Sequence, residues 1–434
     1  MAGWLHLPLL VGIPSVGAAL GFVFWSRPRV LKGWALLVSL ASLGALAALP
    51  EQPAASITGL LLPVLLPTAA FLSLLGQPPH EDNRAAWIVT LLLLGLGSGV
   101  MVSRDGIGLI LLALILVLLG TLIHRYRAMS VYHPWQGIGT YGFGVICLVA
   151  SLAASGPVSA VALAAACATL LPLVPFHGGY VAALAGLPGN LPAFLAFLLP
   201  ALGFRGMLDL LPVMPEGAGT ALAALGLAGA FYGSLKALAQ SRVRSLLAYA
   251  NLSFFSMLWW YVAVTGTMPD HATVYTVGVG LVTSGLLLAW YAIRARYGDM
   301  DLCAIHGLAL PMPRFAVLFT LLALAALGLP PFGVFSGFLG MLLSPSLPLS
   351  GGLMVIVVAW LAASWYFVDL VQRLVFGRHR SELRYQDLSR AETVSLLIIV
   401  IMLTVLGIAP ARLFGPGTQA PQVRAASEVI SWNQ

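Results

Sequence analysis

The chain has 434 residues, of which 60% are hydrophobic and only 8% charged. A soluble domain carries roughly a quarter charged residues, so this composition excludes a soluble protein and implies one integral to the membrane. The formal net charge of +7 would suggest nucleic-acid binding in a soluble protein, but here the basic residues cluster between apolar runs and act as a topology signal.

The apolar runs recur too often for a single anchor and are too long for strands. They predict an all-α polytopic membrane protein of about 14 transmembrane helices, forming a single integral membrane domain over residues 1–434. In chain order the spans fall at roughly 4–25, 34–49, 55–76, 86–103, 106–124, 137–155, 157–187, 191–212, 217–240, 245–265, 271–294, 313–345, 352–376 and 393–413. The first is not a cleavable signal: Met1–Pro8 has no basic n-region, and Arg27, Arg29 and Lys32 follow the apolar run instead. Of the 21 Lys and Arg, 17 lie in or beside alternate loops, from Arg27/Arg29/Lys32, Arg84 and Arg125/Arg127 through Lys236/Arg242/Arg244 and Arg294/Arg296/Arg314 to Arg373/Arg378/Arg380/Arg384/Arg390. The positive-inside rule makes those loops cytoplasmic and puts both termini on the non-cytoplasmic side of a cell inner (plasma) membrane.

The seventh and twelfth spans are long and interrupted. Residues 170–190, "LLPLVPFHGGYVAALAGLPGN", place prolines, glycines and His177 in the middle of an apolar run, and residues 328–340, "GLPPFGVFSGFLG", repeat the pattern five spans later. Breaking a helix in lipid frees N–H and C=O groups that cost on the order of a few kcal/mol each if left dry, so a matched pair of breaks marks protein-lined or hydrated half-sites. Their spacing implies inverted repeats, with a first half at 84–212 and a second at 217–376.

Few ionisable groups remain inside the spans. His177 sits at the first break, where it either caps freed backbone groups or handles a proton. Lys236 is close enough to the end of the ninth span to snorkel. Arg205 and Asp209, and again Asp369 and Arg373, stand four residues apart as intrahelical pairs. His124 and Arg125 are interfacial, Trp259, Trp260 and Tyr261 suit an aromatic belt, and Gly377–Glu392 reads as a solvated cytoplasmic loop. Cys147, Cys167 and Cys303 have no metal or disulfide spacing and read as small buried hydrophobes. Neither a catalytic set nor a cofactor or metal site is expected.

Four motifs occur in order: "PFH" at Pro175–His177, "ALAQSRVRSLLAY" at Ala237–Tyr249, "LGLPPFGVFSG" at Leu327–Gly337 and "ASWYFVDLVQRLVFG" at Ala363–Gly377. Over essentially the whole chain they resemble the antiporter-like membrane subunits of respiratory complex I, of membrane-bound energy-converting hydrogenases and of Mrp-type sodium/proton antiporters. The M-type complex I and D-type Mrp subunits are the most similar. Arg244 falls at a family lysine position in the second motif. The resemblance implies a relay of buried charges along the midplane, in the fifth, seventh, eighth, eleventh and twelfth helices. Here those positions fall at or next to Leu114, then at Leu170, Pro200, Ser284 and Phe338, which are apolar or non-titratable.

The resemblance therefore implies an antiporter-like subunit of a multisubunit complex I-like, hydrogenase-like or Mrp-like proton- or cation-translocating assembly, degenerate in its own relay and acting as a structural or coupling element. Its partners would be other membrane subunits, a peripheral soluble arm and the lipid bilayer, with no nucleic acid. Any NADH:quinone oxidoreductase-like or hydrogenase-like chemistry would belong to those partners. The alternative is a membrane subunit of an inorganic-carbon (bicarbonate/CO2) uptake complex of the same fold, which predicts a water-accessible path lined by Ser284, Asn251 or Tyr249. An autonomous secondary transporter is disfavoured by the missing midplane charges.

Overall fold

Long runs without charge leave the backbone one way to satisfy its polar groups locally, and the apolar runs of this chain are helical. The computed structural model describes residues 3–47, 57–77, 83–103, 106–127, 134–215, 217–298, 302, 305–347, 351–377 and 386–408. Cys303, Arg378, Arg380, Arg384 and the tail after Ala411 lie outside the described residues. The helices are α1 (Gly3–Gly21), α2 (Pro28–Ala47), α3 (Ile57–Leu75), α4 (Arg84–Val102), α5 (Gly106–Arg125), α6 (Pro134–Ala153), α7 (Pro157–Leu170), α8 (Gly178–Gly186), α9 (Leu191–Leu210), α10 (Ala218–Leu238), α11 (Val243–Thr265), α12 (Asp270–Tyr297), α13 (Pro313–Ala326), α14 (Gly333–Leu342), α15 (Gly351–Val375) and α16 (Arg390–Ile408). Ten of these segments are long and apolar enough to cross a membrane. The interrupted seventh and twelfth spans are the pairs α7/α8 and α13/α14.

Burial separates the helices into a centre and a periphery. α11 and α12 are buried over nearly their whole length, whereas α2, α5, α6, α10 and α15 bury about a third of theirs. Large apolar side chains face outward from the peripheral helices, among them Ile110, Ile146, Leu235 and Trp365, as lipid or a neighbouring subunit requires.

Small residues let the broken spans approach their neighbours. A Cβ on Gly203 of α9 would fall 2.7 Å from the backbone nitrogen of Leu171, and one on Gly337 of α14 would fall 2.5 Å from that of Tyr275 in α12. Close backbone approach of this kind is the usual packing device of membrane helices.

Helix ends assigned to one membrane face by their basic residues are bonded to each other. Arg84 Nη1 donates to Trp25 O (2.8 Å), Leu302 N to Ser241 O (3.0 Å) and Gly307 N to Phe376 O (3.0 Å). Lys32 is buried rather than solvated, and its ammonium donates to Leu75 O (3.2 Å) and to Gln77 O at the C-terminal end of α3, where the helix dipole favours a cation.

The expectation of a solvated loop over 377–392 is corrected at its C-terminal end. Glu392 is only 3% exposed and forms a two-point ion pair with Arg296 (Nη1–Oε1 3.0 Å, Nη2–Oε2 2.6 Å). Asp387 accepts from the backbone N–H groups of Arg314 (3.0 Å) and Phe315 (3.2 Å), capping α13 from a distant stretch of chain.

Candidate functional site

The broken seventh span and the helices around it form the candidate site. α7 ends at Leu170, the chain turns through Pro172 and Pro175, and α8 restarts at Gly178. The two helix ends leave backbone groups to be satisfied. Trp259 Nε1 of α11 donates to Leu171 O (3.0 Å), and Arg244 donates through Nε to Leu184 O (2.8 Å) and through Nη2 to Leu187 O (2.5 Å). An indole from α11 therefore caps α7 at the break, and a guanidinium from the same helix caps the C-terminal end of α8.

Two sequence expectations are corrected here. The His177 side chain makes no capping bond, although its residue occupies the N-cap position of α8, because its Nδ1 is buried without a partner. Its ring instead packs edge-on against Tyr232 (5.5 Å between centroids) and beside Tyr249 (6.3 Å). Trp259, Trp260 and Tyr261 form no aromatic belt: all three are buried, and Trp259 has become a backbone cap in the interior.

The remaining candidates distribute as follows. Lys236 is exposed at the end of α10, with its ammonium 5.8 Å from the centre of the Tyr232 ring. The expected intrahelical pairs both form: Arg205 Nη1 to Asp209 Oδ1 at 2.6 Å, and Arg373 Nε to Asp369 Oδ1 at 2.8 Å, each partly exposed. Cys147 and Cys167 are buried, unpaired thiols. Among the described residues no three of His, Cys, Asp and Glu come together to hold a metal.

Four of the five positions assigned to the relay are packing positions. Leu170 and Pro200 are buried, and Ser284 is 2% exposed. Phe338 stacks on Trp360 of α15 with centroids 3.8 Å apart. Leu114 differs, since it faces outward at 49% exposure.

A buried polar chain links α12, α11 and α8, and only one of its members stands out in the sequence. Thr283 Oγ1 of α12 donates to Asn251 Oδ1 of α11 (2.7 Å), and Asn251 Nδ2 donates to the hydroxyl of Tyr180 in α8 (2.6 Å). Tyr180 and Thr283 were findable only as isolated polar groups on otherwise apolar stretches. The open path required of an inorganic-carbon route would use Ser284, Asn251 and Tyr249, but all three are buried and the Asn251 amide is bonded to protein groups on both sides.

Comparison with known proteins agrees with this architecture. Over 94% of the chain it superposes on a chain of respiratory complex I from Thermus thermophilus, covering 100% of that chain, with a TM-score of 0.78 at 21% identity. A chain of the Mrp complex from a Dietzia species gives the same TM-score at 16% identity, over 99% of this chain and 55% of that one. In sequence, the NADH-quinone oxidoreductase subunit M of Escherichia coli K12 is 29% identical across 56% of this chain and 49% of the relative. Subunit N of Pelobacter propionicus is 30% identical across 46% and 44%. The chain thus spans about half the length of the curated relatives it matches. Residues 107–365, from α5 through the twelfth-span break into α15, match the description "NADH:quinone oxidoreductase/Mrp antiporter, TM", and this chain belongs to that family of antiporter-like membrane proteins.

Proposed function

We propose that this multi-pass membrane protein is the antiporter-like subunit of a multisubunit complex I-like, hydrogenase-like or Mrp-like assembly, and that it acts as a structural or coupling element rather than as a proton conductor. The observation that carries the reading is the filling of the relay positions: Leu170, Pro200 and Phe338 are apolar, and Phe338 is locked against Trp360. A buried side chain that cannot ionise has no charge with which to shift a neighbour's proton affinity, so a charge relay has nothing to run on.

In this reading residues 84–212 and 217–376 are two inverted halves of one domain, with both termini on the non-cytoplasmic side of an inner membrane. Other membrane subunits cover the outward apolar faces, including the one that carries Leu114. A peripheral soluble arm supplies any redox chemistry.

Reconstitution of the parent complex tests the proposal. Transport should persist within about twofold, the scale of ordinary peripheral substitutions, in His177→Ala and Lys236→Ala. Collapse of proton transport in either variant, with assembly intact, would show that a relay runs through this subunit.

A further inference from the structure

α5 and α6 touch along their inner sides, where a Cβ on Gly144 would lie 2.9 Å from the Leu116 side chain. Toward the outside they part and leave an open groove of about 430 Å3, whose walls include Val117, Gly120, Ile138, Gly142 and Val145. Two glycines keep it open, since a Cβ on Gly120 or Gly142 would meet nothing within 4 Å. The walls at this depth are apolar, so the groove suits a hydrocarbon chain.

The groove turns polar where α5 ends and α6 begins. His124 lines that end and sets its ring edge-on to the exposed Trp135, 6.3 Å between centroids, and the exposed Arg125 and Arg127 follow it. Among the described residues neither arginine has an ion-pair partner. Residues 106–208 contain no aspartate or glutamate, and Asp209 is already paired with Arg205. This stretch of chain therefore supplies no anion to balance the two arginines. Tryptophan and basic side chains at a helix end mark the depth of lipid headgroups, where an anionic headgroup attracts arginine.

Leu114 lies three residues before Val117 and shares its side of α5, so a helix of an adjoining subunit is the rival occupant. The groove is narrow for one. Spread over the roughly 12 Å from Leu116 to His124, its volume gives a mean cross-section of about 36 Å2, whereas a helix about 10 Å across needs roughly 80 Å2. A lipid chain is the thinner occupant, and its headgroup brings the negative charge that the basic end lacks.

We propose that the groove between α5 and α6 is a seat for an anionic phospholipid, with an acyl chain between Gly120 and Gly142 and the phosphate drawn to the end that carries His124, Arg125 and Arg127.

The test takes the full chain in detergent with equal amounts of dioleoyl-phosphatidylglycerol and dioleoyl-phosphatidylcholine and identifies the retained lipid by native mass spectrometry. The wild type should prefer phosphatidylglycerol by about tenfold or more, at about fivefold per basic side chain near the headgroup. Arg125→Gln/Arg127→Gln, both exposed and so harmless to folding, should bring the preference to within about twofold of none. Gly120→Leu and Gly142→Leu, which fill the groove, should lose the retained lipid while thermal unfolding shows them folded. Equal retention of the two lipids by the wild type would overturn the proposal. So would unchanged phosphatidylglycerol retention in the folded glycine variants, and if those variants also failed to join the parent complex, the groove would belong to a neighbouring helix.

Discussion

At the scale of single residues, several ionisable and polar side chains satisfy backbone groups at helix ends. Arg244 lies where the family resemblance expects a lysine, and its fork serves two carbonyls at the end of α8, Leu184 O and Leu187 O. One lysine ammonium is a poor geometric substitute for that two-point donor. Arg244→Ala should lower stability by about 2–4 kcal/mol, since it leaves two carbonyls short of a charged donor, and Arg244→Lys should recover only part of the loss in detergent melts. Trp259→Phe keeps the ring and removes the indole N–H from Leu171 O. It should cost about 1–2 kcal/mol and raise hydrogen exchange locally through 171–177. An Arg244→Lys variant as stable as wild type would show that the second carbonyl is satisfied by other means.

At the scale of elements, the two breaks were legible in the sequence because proline and glycine announce them within a few residues. The groups that cap the C-terminal ends of α7 and α8 were not. Trp259 lies 88 residues from the carbonyl it caps, and Arg244 lies 60 and 57 residues from its two acceptors. Periodicity and local spacing carry no information about such contacts, so the sequence suggests an interfacial aromatic for Trp259 and leaves a cap as one of two roles for His177. The packing of Phe338 was not legible either, because its stacking on Trp360 depends on how α14 meets α15. This packing role has a measurable consequence. Phe338→Ala should destabilise by about 2–3 kcal/mol, below the full core value because the ring is only partly buried. Leu114→Ala on the outward face should change the isolated chain by no more than about 0.5 kcal/mol. A larger effect of Leu114→Ala in the assembled complex than in the isolated chain would identify that face as a subunit contact.

At the scale of the whole molecule, the last helix is fastened to the first ones through a polar cluster that the sequence presented as an ordinary charged loop. Glu392 opens α16 and pairs with Arg296 at the end of α12, while Ser395, one turn further along α16, donates to Leu72 O of α3 (2.7 Å). Lys32 then ties α2 to the end of that same helix. The pair is 3% exposed at the glutamate and 15% at the arginine, so its two charges are compensated almost entirely by each other and by neighbouring polar groups. Breaking one side of such a pair is far more damaging than removing both, because the surviving charge stays buried without its partner. Glu392→Leu alone should therefore cost about 3–5 kcal/mol and expose the junction between α16 and α3 to limited proteolysis. The double variant Arg296→Met/Glu392→Leu, of similar volume and without charge, should regain most of that stability. Equal losses in the single and double variants would mean that the junction is held by packing around Ser395 and Leu72, with the ion pair contributing little beyond its own solvation.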